Sequence, residues 1–186
     1  LLHPEIHWFV AALCRGDDPD RAPRFHSALE ALSARGRMAE LDDGPEQKPL
    51  PAAAVMDAIR SLVPEGTWDL LLTHGPEGEY SRHRRHEETS AAVRRLWERG
   101  ELQAEQLWMF AYGDDGGRRV PRAVSDAHCR LELPGDIWAL KRRIIGETYG
   151  FGEESFEMRA AGRTEAFWCF DEPRDVKNWV SSPKND

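Results

Sequence analysis

Cysteine is scarce in this sequence. There are three, Cys14, Cys129 and Cys169, odd in number and far apart. Neither a disulfide framework nor a Cys-type zinc ribbon fits that spacing, and a reducing compartment, the cytoplasm, is expected. Basic charge is short as well: 25 Lys and Arg stand against 33 Asp and Glu, for a net charge of −8. Phosphate affinity rests mainly on Lys and Arg, so this balance disfavours a general role on nucleic acid or on an anionic membrane. Long apolar runs are missing. The longest, Trp8 to Cys14, is far short of the ~20 residues that span a bilayer. There is no internal repeat, no low-complexity linker and no signal-peptide pattern, and the chain opens Leu1-Leu2-His3 without an initiator Met. What is present is a soluble, globular composition, 40% hydrophobic and 31% charged over 186 residues, about one domain's worth of chain.

Short apolar runs alternate with amphipathic stretches. Ile6 to Cys14 reads as a buried strand stopped by Arg15-Gly16-Asp17-Asp18-Pro19. Pro23 to Arg35 places Phe25, Ala28, Leu29 and Leu32 on one helical face. Met38 to Leu41 is a weak strand, Pro51 to Val63 a second helix, Trp68 to Thr73 a strand, and a helix follows from His83 or Glu87 to Arg99. Further on, Leu107 to Tyr112, Arg130 to Leu133 and Glu165 to Phe170 read as strands, with a helix from Asp136 to Tyr149. From Asp171 to Asp186 the chain is polar and is expected to be a frayed tail. The alternation predicts a parallel α/β sheet covered on both faces, in a single domain over residues 1–170.

In such sheets ligands bind outside the carboxyl ends of the strands. Of four loops so placed, His74 to His86 is the richest, with three of the seven histidines. His83 and His86 are three apart at a helix start, so both imidazoles can face one side. Histidine is the commonest metal ligand and the side chain most easily poised for proton transfer near neutrality. The same stretch also reads as a solvated, basic helix start, since Arg82, Arg84 and Arg85 surround the pair. Asp17, Asp18, Asp42 and Asp43 read as turn formers as readily as substrate ligands. Arg24 opens a helix, where the dipole disfavours a cation; a job at the crevice or a surface salt bridge would each explain it. Trp108, Trp138 and Trp168 fall at core spacing. The Arg-rich patch has no interleaved aromatics for stacking bases, so nucleic acid is not an expected partner.

The order of these elements, and above all the stretch LLLTHGPEGEYSRHRRHEETSAAV, resembles the PIG-L/LmbE-like family of zinc-dependent N-deacetylases. The likeness covers most of the chain, including Arg15-Gly16-Asp17, the helix with Arg24, the Asp42-Asp43-Gly44 turn and Glu165-Ala166-Phe167. It implies a Rossmann-like three-layer α/β/α sandwich and hydrolysis of an N-acetyl group from an N-acetylglucosamine-type sugar conjugate. It also implies His86 as a zinc ligand and His83 as the histidine that stabilises the oxyanion or the leaving amine. Tyr80 would polarise the carbonyl, and Arg24 and Asp43 would line the substrate pocket.

The chain departs from that family in two places. His83-Arg84-Arg85-His86 stands where His-Pro-Asp-His is usual. The first metal motif, His-Pro-Asp-Asp-Glu, is absent, since His3-Pro4-Glu5 sits directly before the strand at Ile6 with no room for a helix between. The family's first strand, its motif and most of its first helix are therefore expected to be missing. A catalytic zinc site needs about three protein ligands, so this chain alone is expected neither to hold zinc nor to turn over. The alternative reading is a non-catalytic relative that binds a sugar or a protein in the same crevice. A small-molecule amino-sugar conjugate is the expected partner, with no membrane, and exposed sheet edges make self-association an expectation.

Overall fold

The computed structural model describes residues 5–78 and 83–181. Its fold is α/β, and the chain divides into two compact units: residues 1–64 with 132–164, and residues 65–131 with 165–186. Among the described residues no helix is long and apolar enough to cross a membrane.

In the first unit β1 (Phe9–Cys14) pairs in parallel with β2 (Arg35–Leu41), and α1 (Arg21–Ala31) connects them. Asp18 sets the start of α1, its Oδ1 accepting from the backbone N–H groups of Asp20 and Arg21 at 2.9 Å each. The helix ends short of the expected Arg35 because Ser33 takes a φ of 50° and turns the chain back, after which the Arg35 N–H donates to the Trp8 carbonyl at 3.0 Å. Gly36 lies where α1 closes on the strands. A Cβ there would stand 2.5 Å from the Val10 carbonyl oxygen and 3.0 Å from the Phe25 and Leu29 side chains, so only glycine allows the approach. The next helix, α2 (Ala52–Leu62), buries Val55, Met56, Ile59 and Leu62. Ile6 to Cys14 is not the buried strand expected. Pairing starts at Phe9, Ile6, Trp8 and Val10 stay largely exposed, and of β1 only Leu13 is buried. The reason is the small sheet: among the described residues β1 has one strand neighbour and so too few groups to cover it.

The second unit holds β3 (Thr67–Thr73), α3 (Arg84–Glu98), β4 (Gln103–Phe110), β5 (Tyr112–Gly113), β6 (Arg122–Ala123) and β7 (Cys129–Glu132). The chain passes to the first unit for α4 (Gly135–Arg143), a π-helical turn (Ile144–Thr148) and α5 (Phe156–Ala160), and returns through β8 (Thr164–Phe170) and α6 (Pro173–Ser181). The helix expected from Asp136 to Tyr149 is thus α-helical only to Arg143 and widens over its last turn.

The four-stranded sheet runs β3-β4-β8-β7, with β3 and β4 parallel and β8 antiparallel to β4. The parallel expectation holds where one helix links successive strands. It fails at β8, which no single crossover helix ties to β4. The core gathers Trp97, Leu107, Met109, Phe170 and Val176. Val176 belongs to α6, and Trp179 and Val180 pack beside it. The residues after Asp171 are therefore not a frayed polar tail as far as Ser181, because this apolar stripe docks on the sheet's core.

Candidate functional site

A cluster of three histidines lies at the carboxyl end of β3. Thr73, the last residue of the strand, is buried, and His74 follows it. The chain then turns tightly, the Gly78 N–H donating to the Gly75 carbonyl at 3.1 Å. A Cβ on Gly75 would meet the Gly78 and Phe110 carbonyl oxygens at 2.7 Å each, which makes that glycine a requirement of the turn. After the undescribed residues 79–82, His83 stands at the N-cap of α3 with extended backbone, its carbonyl accepting from the Glu87 N–H at 3.1 Å.

The structure brings His83 and His86 together, as their spacing suggested, and adds His74. The His83 and His86 rings lie 4.6 Å apart, tilted by 43°, and the His74 and His86 rings stack at 3.9 Å, parallel to within 2°. The Nδ1 atoms of His83 and His86 are buried. The basic surroundings are less exposed than the sequence suggests. Arg85 is turned inward, its side chain 6% exposed, and is paired with Glu88; the opposite charges offset each other. Arg84 remains exposed.

Zinc can be tested against this geometry. A metal bonds an imidazole nitrogen in the plane of the ring, and two parallel rings 3.9 Å apart direct their in-plane lone pairs side by side, so they do not converge on one ion. Among the described residues no group of three or more His, Cys, Asp and Glu side chains could hold a metal, where a catalytic zinc takes about three. The described residues do not fit the ion.

The other expected site residues belong to the first unit or lie outside the described chain. Arg24 is engaged twice, its Nε donating to Asp20 Oδ1 at 2.8 Å and its Nη1 to the Thr148 carbonyl at 3.1 Å. The bond to Asp20 is the main cause that raises its pKa above the ordinary arginine value. The surface salt bridge is thus one of its roles, and holding the end of the π-helical turn is another. Asp43 accepts from Arg15 Nε at 3.3 Å and from Gln47 Nε2 at 3.0 Å. Asp42 accepts from the Gly44 N–H at 3.0 Å, as a turn former does. Asp17 is exposed. Tyr80 lies outside the described residues.

A pairing that the sequence did not suggest lies elsewhere in the second unit. Cys129 on β7 and Cys169 on β8 sit on neighbouring strands, and the Cys169 thiol donates to the Phe167 carbonyl at 3.8 Å. Burial first, then Cys129 and Asp171, push the Cys169 thiol up to about 11. Forty positions of sequence hide this neighbourhood, and no spacing motif marks it.

No known protein family and no curated protein sequence matches the chain. Among solved structures it is similar to GalB, the 4-carboxy-2-hydroxymuconate hydratase of Pseudomonas putida KT2440, with a TM-score of 0.57 and 13% identity over 100% of this chain and 89% of that one. At that identity the likeness is one of fold, and the fold is α/β.

Proposed function

We propose that the chain is a substrate-holding domain of the PIG-L/LmbE-like N-deacetylase kind, with a Rossmann-like three-layer α/β/α architecture, and that it takes N-acetylglucosamine-type sugar conjugates. The observation that carries this reading is the imidazole cluster at the carboxyl end of β3, where open α/β sheets take their ligands. His83, at the start of α3, is the group for the acyl oxygen or the amine nitrogen, since a neutral imidazole offers one donor and one acceptor nitrogen. His86, stacked on His74, presents a second ring to the same ligand. Because the described residues make no metal site, binding and hydrolysis separate: the chain binds the conjugate and releases no acetate.

Calorimetric titration with an N-acetylglucosamine conjugate, beside an acetate-release assay with added zinc, tests both halves. Expected are saturable binding, a tenfold or greater weakening in His86→Ala with the fold intact by circular dichroism, and no acetate. Absence of binding overturns the reading. Acetate release that needs zinc and His86 would overturn the separation and make the chain an enzyme.

A further inference from the structure

We propose that the cleft between α3 and α6 is a binding site for a small organic carboxylate, whose charged end meets Arg94 and whose hydrocarbon body lies along α6. Both helices belong to the second unit, and the cleft they form has a volume of about 230 Å³. That is room for a one-ring acid, since a cavity of roughly 150 Å³ takes benzene. The protein as a whole is acidic, with a net charge of −8. Among the described residues this cleft is the reverse: Arg94 and Arg95 from α3 and Lys177 from α6 line it, against one carboxylate, Glu98.

Arg94 is the unusual member. It is partly buried, and its Nε donates to the Ser90 carbonyl at 3.3 Å, which holds the guanidinium and leaves its two terminal nitrogens for a ligand. Glu98, one turn further along α3, is the ordinary partner for it. Glu98 Oε1 instead accepts from Lys177 Nζ at 3.1 Å. Among the described residues neither Arg94 nor Arg95 forms an ion pair. The helix dipole accounts for Arg95, which stands in the last turn of α3, but gives no reason to bury Arg94. Burial first, then the charge of Arg95, hold the Arg94 pKa below the ordinary arginine value. An anion seated on Arg94 offsets both.

The rest of the lining selects the class of anion. Ala91 on α3 and Val176 and Val180 on α6 give the cleft an apolar wall, which inorganic phosphate would leave unused. A carboxylate on a short hydrocarbon uses both halves. Its two oxygens match the planar fork of the guanidinium, and its apolar body displaces water from the valines. Arg94 lies about 12 Å along α3 from His86, at 1.5 Å of rise per residue, so this site and the sugar-binding reading stand or fall separately.

The test is an NMR titration of the folded 186-residue protein with benzoate, beside inorganic phosphate and benzyl alcohol. Expected are saturable shifts at the Arg94 side chain and at the Val176 and Val180 methyls. Phosphate and benzyl alcohol should each bind about tenfold more weakly or worse, since each lacks one half of the match. Arg94→Gln should weaken benzoate by about tenfold or more, with the circular dichroism unchanged. Glu98→Gln removes the one carboxylate from the lining and should tighten benzoate about threefold. A merely structural Arg94 would not give that gain, and it decides the matter even if Arg94→Gln does not fold. Absence of saturable shifts at the cleft, shifts confined to the histidine cluster, phosphate or benzyl alcohol as tight as benzoate, or an unaltered affinity in Glu98→Gln overturns the proposal.

Discussion

Two stretches of this chain look alike in sequence and end in opposite surroundings. Trp8 to Cys14 and Leu107 to Tyr112 are both apolar and aromatic. In β4, Leu107 and Met109 are 0% exposed; beside and within β1, Trp8 and Val10 are 39% and 38% exposed. The difference is neighbours. β4 lies between β3 and β8 and carries part of the core shared with α3 and α6, whereas among the described residues β1 pairs with β2 alone. A strand's composition shows that it can be buried; the number of strands and helices around it decides whether it is.

The largest effect that would sharpen this contrast is in the core. Met109→Ala should lower the unfolding free energy by about 3 kcal/mol, in the range for emptied core sites, while Val10→Ala should cost less than about 1 kcal/mol. Urea denaturation of the two variants compares them directly. Equal losses would mean that β1 is held as firmly as β4.

An intermediate effect is expected at the histidine-bearing end of α3. Arg85 is buried against Glu88, and removing one partner of a buried ion pair leaves a charge uncompensated. Glu88→Ala should therefore cost about 2 kcal/mol, tempered by the partial exposure of Glu88. It should also loosen His86, one residue from Arg85, which chemical-shift changes at the histidine rings would record. A neutral substitution with unmoved rings would show that the pair does not set the site.

The smallest effect belongs to the exposed start of α1. Backbone hydrogen bonds from Arg21 and Asp20 hold the Asp18 carboxyl below the ordinary aspartate range. A carboxylate with a lowered native pKa contributes stability above its unfolded pKa and loses it as pH falls through the native one. Asp18→Asn should therefore be less stable than the parent at pH 7, and the gap should close as pH falls through the lowered native pKa of Asp18. A gap independent of pH would assign the effect to shape and not to charge.

Legibility in the sequence followed the range of the interaction. The helix α2 is readable because Val55, Ile59 and Leu62 recur at helical spacing within eleven residues; α3 is readable from Val93, Leu96 and Trp97 on one face, and β3 from the short apolar run Trp68 to Thr73. The signal for α6 was present also: Val176, Trp179 and Val180 make an apolar stripe behind Pro173. Pro173 masks it by reading as a breaker, although proline suits a helix's first turn. In the candidate site the i, i+3 pair His83 and His86 was legible. The stacking of His74 on His86 was not, since the turn at Gly75 and Gly78 brings it about.

By itself the sequence determined the α/β alternation, the apolar face of each main helix and the gathering of histidines after β3. All of these rest on periods and turns a few residues long, where steric and hydrogen-bonding preferences act without a partner. Only the tertiary structure decided which strands are buried, that β8 runs antiparallel to β4, and that the strands of Cys129 and Cys169 are neighbours. Those outcomes depend on contacts between residues tens of positions apart, and local chemistry carries no record of which distant segment will arrive.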